Sequence, residues 1–193
     1  MLATDTLRTE HRLIERVLDA LEVAAARLDA GEDAPAEALE KALEFVRGFA
    51  DACHHAKEEQ HLFPAFRAKG MLENGGPLGM MLREHELGRG HVRAMAEALP
   101  AYRNGDVAAK QRFADNARSY VELLRQHIWK EDNVVFPSED MMFTEPERAR
   151  LSDAFEEVER QQLGGVSHDH YHAIVEELET IFSQGGMTHA QHA

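Results

Sequence analysis

The chain has 193 residues, of which 44% are hydrophobic, and its 35 acidic and 21 basic residues give a net charge of −14 at neutral pH. This acidic excess repels nucleic-acid phosphates and anionic lipid headgroups, so neither nucleic acid nor a membrane is expected as a partner. The length suits one domain with an appendage. Because Leu, Ala, Glu and Arg outnumber the β-branched residues, an all-α fold is predicted.

Cysteine content and the N-terminal segment bear on the compartment. Cys53 is the single cysteine of the chain, so no internal disulfide is possible and no oxidising environment is required. The sequence has no apolar run of about eighteen residues that could span a bilayer. It also begins without the cationic start and apolar block of a secretory signal. We therefore expect a cytoplasmic protein.

Two amphipathic helices are predicted in the first third of the chain. An apolar stripe with alternating spacings of three and four residues runs from Leu7 to Leu28, and the segment 31–37 ends this first helix. The second helix runs from about residue 36 into the sixties. Pro64 should kink it or end its regular hydrogen bonding.

Two further helices follow the glycine-rich break at residues 69–79. The third carries a stripe from Leu78 to Leu99, and the fourth carries one from Phe113 to Val134. Four such helices with short connections predict an antiparallel up-down four-helix bundle over residues 1–140.

The remaining residues, 141–193, are predicted to form a helical extension with a frayed tail. Thr144 is a candidate N-cap with Pro146 just inside the helix, and Ser167 is a candidate cap for a last helix. The final segment, "SQGGMTHAQHA", has the composition of a loose terminus.

One motif occurs twice in the chain. "HHAKEEQHLFP" at 54–64 and "HIWKEDNVVFP" at 127–137 share His, Lys, Glu, an acidic residue, an apolar residue, Phe and Pro at the same spacing. Residues four apart lie on one helical face, so each H-x-x-x-E pair can offer an imidazole and a carboxylate to the same metal ion.

Single histidines, His11 and His85, occupy stripe positions on the first and third helices. A charged carboxylate inside a bundle costs several kcal/mol unless it is paired or bound to a cation. Imidazole and carboxylate without thiolate suit Fe, Mn or Zn. The candidate metal ligands are therefore His11, His54, Glu58, His85, His127 and Glu131.

With these residues in the order H, H-x-x-x-E, H, H-x-x-x-E, residues 5–140 resemble the hemerythrin-like, HHE cation-binding proteins. The resemblance implies two iron ions held by the six candidate ligands and bridged by Glu58, Glu131 and an oxo or hydroxo group.

Two departures from the oxygen-carrying hemerythrins stand out. Those proteins have H-x-x-x-H on the third helix, whereas here Met81 and Arg89 flank His85. They have H-x-x-x-x-D on the fourth helix, where this chain offers both Glu131 and Asp132. The chain thus looks one histidine short and is similar to the branch of the family that does not carry oxygen.

The second helix leaves an alternative open. Its aromatic stripe, Phe45, Phe49, Phe63 and Phe66, lies closer in angle to His55 and Glu59 than to His54 and Glu58. The internal repeat instead aligns His54 with His127 and favours His54 and Glu58. The leftover stripe would then be covered by the C-terminal helices.

Arg89 is open to two interpretations as well. It can point outward into a salt-bridged surface, or inward, where it would hold an anionic ligand beside the metal ions. The other histidines, His61, His91, His168, His170 and His172, are expected at the rim or surface of the bundle.

The function expected from this resemblance is redox chemistry on hydrogen peroxide, nitric oxide or oxygen, of the catalase, peroxidase or stress-protection kind. The alternatives are reversible binding or sensing of oxygen or iron, and repair of damaged iron sites. The expected partner is a small ligand, and the expected state is a monomer or a homodimer.

Overall fold

The computed structural model describes residues 2–162 and 168–183, and the regular elements within these ranges are helical. The α-helices are α1 (Ala3–Asp29), α2 (Ala36–Phe45), α3 (Phe63–Ala68), α4 (Pro77–Arg103), α5 (Val107–Lys130), α6 (Glu139–Met142), α7 (Glu145–Gln162) and α8 (His168–Ser183). Between them lie three π-helical segments, Val46–His55, Glu58–Leu62 and Glu131–Val135, and one 3-10 turn, Phe136–Ser138.

Four helical rods form an antiparallel bundle. The first bundle helix is α1, the second is the continuous run 36–68, the third is α4 and the fourth is the run 107–142. α5 packs against α1 and α4, while the second bundle helix packs against the other sides of α1 and α4. The connections 30–35, 69–76 and 104–106 are short, so successive helices run in opposite directions. The predicted all-α helical bundle is confirmed.

The bundle interior consists of two apolar clusters with a polar layer between them. One cluster contains Leu13, Cys53 and Leu124, and the other contains Leu7 and Leu62. The polar layer lies at residues 10–11, 54–58, 84–85 and 127–131, between the two clusters along every bundle helix. Any ion held there is shielded from bulk water by apolar packing above and below.

The π-helical segments occur where the repeated motif lies. Glu58–Leu62 and Glu131–Val135 each end directly before a Phe-Pro pair. Proline lacks a backbone N–H and its ring clashes with the carbonyl four residues earlier, and a widened π turn relieves that clash. The predicted disturbance at Pro64 is therefore a change of helical type, and the second bundle helix continues to Ala68.

A buried carboxylate connects the first and fourth bundle helices. Glu139 is fully buried and accepts hydrogen bonds from the backbone N–H groups of Ala3 and Thr4, each at 2.9 Å. The first N–H groups of a helix have no partner within the helix, and a negative charge at this end is favourable. Glu139 thereby sets the axial position of α1 relative to the fourth bundle helix.

The C-terminal helices cover the aromatic stripe of the second bundle helix, as predicted. The Tyr171 ring lies 5.9 Å from the Phe45 ring and 5.4 Å from the Phe49 ring, between centroids. Both phenylalanines are at most 1% exposed. Thr144 lies just before α7, where its N–H and hydroxyl donate to Glu147.

Other predictions for the C-terminal region remain untested. The proposed cap Ser167 and the tail segment beyond Ser183 lie outside the described residues. The division into a bundle of residues 1–140 and an extension of residues 141–193 stays a prediction. Among the helices of residues 2–162 and 168–183, none combines the length and apolarity needed to cross a membrane.

Replacement of Gly48 by Ala tests the docking of α8. A Cβ on Gly48 would overlap the Tyr171 hydroxyl and lie 3.0 Å from Cζ of the same ring. We expect this overpacking to lower the free energy of unfolding by about 1–3 kcal/mol, as measured by denaturant titration.

The matched control is Gly90→Ala, where no described atom lies within 4 Å of the added Cβ. This variant should be unchanged or more stable by up to about 1 kcal/mol through helix propensity. Equal unfolding free energies for the two variants would contradict the close approach of α8 to Gly48.

Candidate metal centre

The six side chains predicted as ligands meet in the polar layer. His11, Glu58 and Glu131 are fully buried. His54, His85 and His127 are no more than 2% exposed. The apolar clusters on either side separate these six side chains from solvent, so their polar atoms face one another.

Potential ligand atoms form two groups, within each of which all atoms lie within 4.8 Å of one another. Group 1 comprises His11, His54, Glu58 and Glu131, and group 2 comprises His55, Glu58, His85 and His127. Glu58 belongs to both groups, so the two groups adjoin each other.

The imidazole Nε2 atoms point at the two carboxylates. Glu131 Oε2 lies 3.2 Å from Nε2 of His11 and 3.2 Å from Nε2 of His127, so it also spans the two groups. The Glu58 oxygens lie 3.6 Å from Nε2 of His54 and 3.5 Å from Nε2 of His85. The Nε2 atoms of His85 and His127 are 3.1 Å apart. Two nitrogens bound to one metal ion at about 2.0–2.1 Å are separated by about this distance.

Both carboxylates lack hydrogen-bond donors. All four oxygens of Glu58 and Glu131, together with Nε2 of His11, are buried without a hydrogen-bond partner among the described residues. Buried polar groups in native proteins are nearly always satisfied, and the binding of an ion is one recognised reason for an exception. The donor set of imidazole nitrogens and carboxylate oxygens fits iron.

The two carboxylates also interact electrostatically. Burial raises the pKa of Glu58 well above its usual range, and the neighbouring charge of Glu131 raises it further. Burial acts on Glu131 in the same direction, but His127 and His11 lower the pKa of Glu131 well below its usual range. Without a cation, the layer therefore favours only one ionised carboxylate, and bound cations would stabilise both.

Every imidazole in the two groups is held at its other nitrogen by a carboxylate. The Nδ1–oxygen pairs are His11 with Asp132 (2.9 Å), His54 with Glu10 (2.8 Å), His55 with Asp51 (3.3 Å), His85 with Glu59 (2.6 Å) and His127 with Glu84 (3.0 Å). A carboxylate accepts hydrogen bonds, so each Nδ1 carries a proton, and in the neutral imidazole the Nε2 lone pair is then free to bind a metal ion.

The lysine of each repeat completes this arrangement. Lys57 donates to Glu10, which accepts from His54, and Lys130 donates to Glu84, which accepts from His127. Each lysine neutralises the carboxylate that orients the first histidine of its own motif. The glutamates come from "EH" pairs at 10–11 and 84–85, which are themselves repeated.

The second acidic residue and the phenylalanine of each repeat act on the single histidines. Glu59 accepts from His85, and Phe63 stacks on the same ring with centroids 5.8 Å apart. Asp132 and Phe136 make the equivalent contacts with His11, at a ring separation of 5.4 Å. The motif thus occurs twice because the centre has an approximate twofold arrangement.

His55 is the residue that the repeat alignment left out, because its counterpart, Ile128, is apolar. His55 is 5% exposed and stacks on His85 with ring centroids 3.9 Å apart. It therefore lies inside the layer together with His54. With His55 included, the two groups contain five imidazoles, three of them in group 2.

The helix type explains how two adjacent residues can both face the layer. His54 and His55 end the π-helical segment Val46–His55. A π-helix has more residues per turn than an α-helix, so successive residues are separated by a smaller angle. The aromatic stripe indicated His55 and the repeat indicated His54, and in the structure both histidines face the layer. The stripe's companion Glu59 orients His85, while Glu58 lies between the groups.

Arg89 takes the outward, salt-bridged position. Its guanidinium donates to Asp51 at 2.8 Å, Glu59 at 2.7 Å and Glu86 at 2.6 Å. Three carboxylate partners leave it unsuited to holding an anionic ligand. Since Asp51 and Glu59 orient His55 and His85, Arg89 instead fixes the carboxylates around group 2.

The remaining histidines of residues 2–162 and 168–183 lie away from the two groups. His61 is half-buried beside α7, and His91 pairs with Asn116 at 3.0 Å. His168 lies 3.2 Å from Glu159, and His170 lies 2.7 Å from Glu44. His172 lines a cavity of about 310 Å³ that is also bordered by His168. None of them joins a group of metal-ligand geometry within the described residues.

Replacement of Glu58 by Gln tests whether the layer is built for cations. In metal-free protein the raised pKa of Glu58 favours its uncharged form beside Glu131, so we expect the neutral Gln to leave the free energy of unfolding equal or slightly higher. Added metal should stabilise the wild type by about 2.7 kcal/mol at 100 times Kd and the variant far less. Denaturant titrations with and without ferrous iron measure both quantities, with the exposed Glu157→Gln as control. Equal stabilisation of Glu58→Gln and wild type by metal would contradict the assignment.

Comparison with known proteins agrees with this geometry. The chain is 28% identical over 163 residues to uncharacterized proteins of Mycobacterium bovis and Mycobacterium tuberculosis. The matches cover 84% of this chain and 63% of those proteins, so it spans less than two thirds of their length. No solved structure gives a significant match. The family model of the hemerythrin HHE cation binding domain matches residues 2–138, and the chain belongs to this family.

Proposed function

We propose that the protein holds two iron ions in the polar layer and uses them for redox chemistry on a small molecule. The observation that carries the proposal is the convergence of five imidazoles and two unpartnered carboxylates on one buried volume. His11 and His54 would hold one ion, and His55, His85 and His127 the other. Glu58 and Glu131 span both groups and would bridge them.

The two ions would have unequal protein ligands. Group 1 offers two imidazoles, and group 2 offers three, while the same two carboxylates serve both. An iron ion with six coordination positions would then keep more free positions on the side of His11 and His54. That side is where a small external ligand would bind.

The surrounding carboxylates favour the higher oxidation state of bound iron. Hydrogen bonds from Nδ1 to carboxylates raise the basicity of each imidazole, and here all five imidazoles have one. Strong, negatively charged donors stabilise ferric more than ferrous iron. A ferric resting centre suits turnover of peroxide better than carriage of oxygen, which needs a stable ferrous state.

Hydrogen peroxide disproportionation is the reaction that this site supports best. Two peroxide molecules give two water molecules and one oxygen molecule, so no external electron donor is needed. When bound, iron supplies the redox changes and the open coordination positions. The chain's own residues orient the imidazoles, keep the Nδ1 protons on His11 and His85 through Asp132 and Glu59, and exclude bulk water.

Reversible oxygen binding is the second candidate, and His55 is the observation that favours it. With His55 counted, one ion has three imidazoles and the other has two, which provides one saturated and one open ion. A spectrum that changes with oxygen and returns on its removal, without gas release from peroxide, would establish this function instead.

The metal stoichiometry tests the two groups. Wild-type protein loaded anaerobically with ferrous iron should contain two ions per chain. We expect His55→Ala to lower the affinity for one ion by more than about tenfold, since loss of an outer-shell partner alone costs 10–100-fold. His61→Ala, outside both groups, is the control. Elemental analysis after competition with a chelator gives both values, and unchanged binding by His55→Ala would exclude it as a ligand.

The activity is tested by oxygen release. Iron-loaded wild type should release one oxygen molecule per two hydrogen peroxide molecules, measured with an oxygen electrode and a peroxide assay. The metal-free protein and Glu131→Gln should release at least about 100-fold less, which corresponds to about 2.7 kcal/mol of barrier. Absence of oxygen release from protein with two bound iron ions would exclude disproportionation.

A further inference from the structure

Lys57 connects the metal layer to the C-terminal helices. Its side chain is fully buried, and its ammonium group donates to Glu10 and, at 2.5 Å, to Glu159. Glu159 belongs to α7, outside residues 2–138 that match the family model. A residue of the extension thus lies three hydrogen bonds from the Nε2 lone pair of His54, through Lys57 and Glu10.

The other half of the centre lacks this connection. Lys130, the counterpart of Lys57 in the repeat, is 21% exposed and pairs with Glu84. It has no second carboxylate partner within residues 2–162 and 168–183. The twofold arrangement is therefore broken at Glu159, on the side of group 1.

Charge sharing gives Glu159 an effect on His54. A buried ammonium requires compensation, and here two carboxylates share its positive charge. Glu10 therefore keeps more negative charge to accept the Nδ1 proton of His54, at 2.8 Å. Without Glu159, Glu10 alone would compensate the charge of Lys57. His54 would then become a weaker donor to a metal ion.

α7 is firmly placed to exert this effect. Its Phe155 is 2% exposed and its Leu151 7% exposed, and both belong to the apolar cluster that contains Leu7 and Leu62. Glu159 lies one turn beyond Phe155 on the same helix, and His168 of α8 lies 3.2 Å from its second oxygen. Both C-terminal helices thus contribute to the position of the Glu159 carboxylate.

We propose that Glu159 is a positioning residue through which the C-terminal helices tune the iron ion held by His11 and His54. The inference rests on the proposed function, because it concerns an ion bound by group 1. It assigns to the extension a role in making the two ions unequal, in addition to its covering of the aromatic stripe.

The test is Glu159→Gln, which keeps the shape of the side chain and removes its charge. We expect the weaker-bound iron ion to lose about tenfold in affinity, the lower end of outer-shell effects. The midpoint potential of that ion should rise, because the ferric state loses more than the ferrous state. A tenfold difference between the two states corresponds to about 59 mV for one electron.

Glu157→Gln is the matched control, because it removes one charge from the same helix at an exposed position paired only with Arg160 and Gln161 among the described residues. Glu159→Asp, which retains the charge, should restore the potential toward the wild-type value and carries the test if Glu159→Gln fails to fold. If Glu159 had a purely structural role, Glu159→Gln would lower the stability of metal-free protein without changing the affinity or the potential of one ion more than those of the other.

Chelator competition and redox titration of iron-loaded protein decide the outcome. Equal affinities and potentials for Glu159→Gln and Glu157→Gln, or equal weakening of both ions, would overturn the inference. The proposed function fails separately, if wild-type protein binds fewer than two ions. The variants are therefore compared only after the wild-type protein has been shown to bind two iron ions.

Discussion

Two carboxylates buried in an apolar bundle are the constraint on which this structure depends. Glu58 and Glu131 are fully buried, their oxygens lack hydrogen-bond donors among the described residues, and the charge of Glu131 raises the cost of ionising Glu58. Five imidazoles converge on the two carboxylates. Apolar packing and hydrogen bonding leave an ionised Glu58 uncompensated, whereas bound cations would stabilise both carboxylates.

The residues that surround the two ligand groups hold the imidazoles in position. Each imidazole is held at Nδ1 by a carboxylate, and the carboxylates are in turn held by Lys57, Lys130 and Arg89 or by other basic residues. From the centre outward, the imidazoles are therefore followed by carboxylates, and the carboxylates by basic side chains. This alternation allows a strongly acidic protein to bury many ionisable groups within one layer.

The approximate twofold arrangement is complete in the bundle and broken at two places. His55 adds a third imidazole to one group, and Glu159 adds an external carboxylate to the network of the other. Identical motifs would produce two equivalent ligand groups. The departures from the repeat are therefore the features that distinguish the two groups, and one of them comes from outside the matched domain.

The sequence by itself determined the bundle and most of the centre, because helical periodicity and an exact spacing of four residues report directly on which side chains share a helical face. His11, His54, Glu58, His85, His127 and Glu131 could all be placed inward on this basis. The role of His55 was decided by tertiary structure, since a π-helical segment changes the angle between neighbours and periodicity assumes a uniform helix. The pairing of Glu10, Lys57 and Glu159 was likewise decided by packing, because residues 149 positions apart in the chain meet only when α7 docks on the bundle.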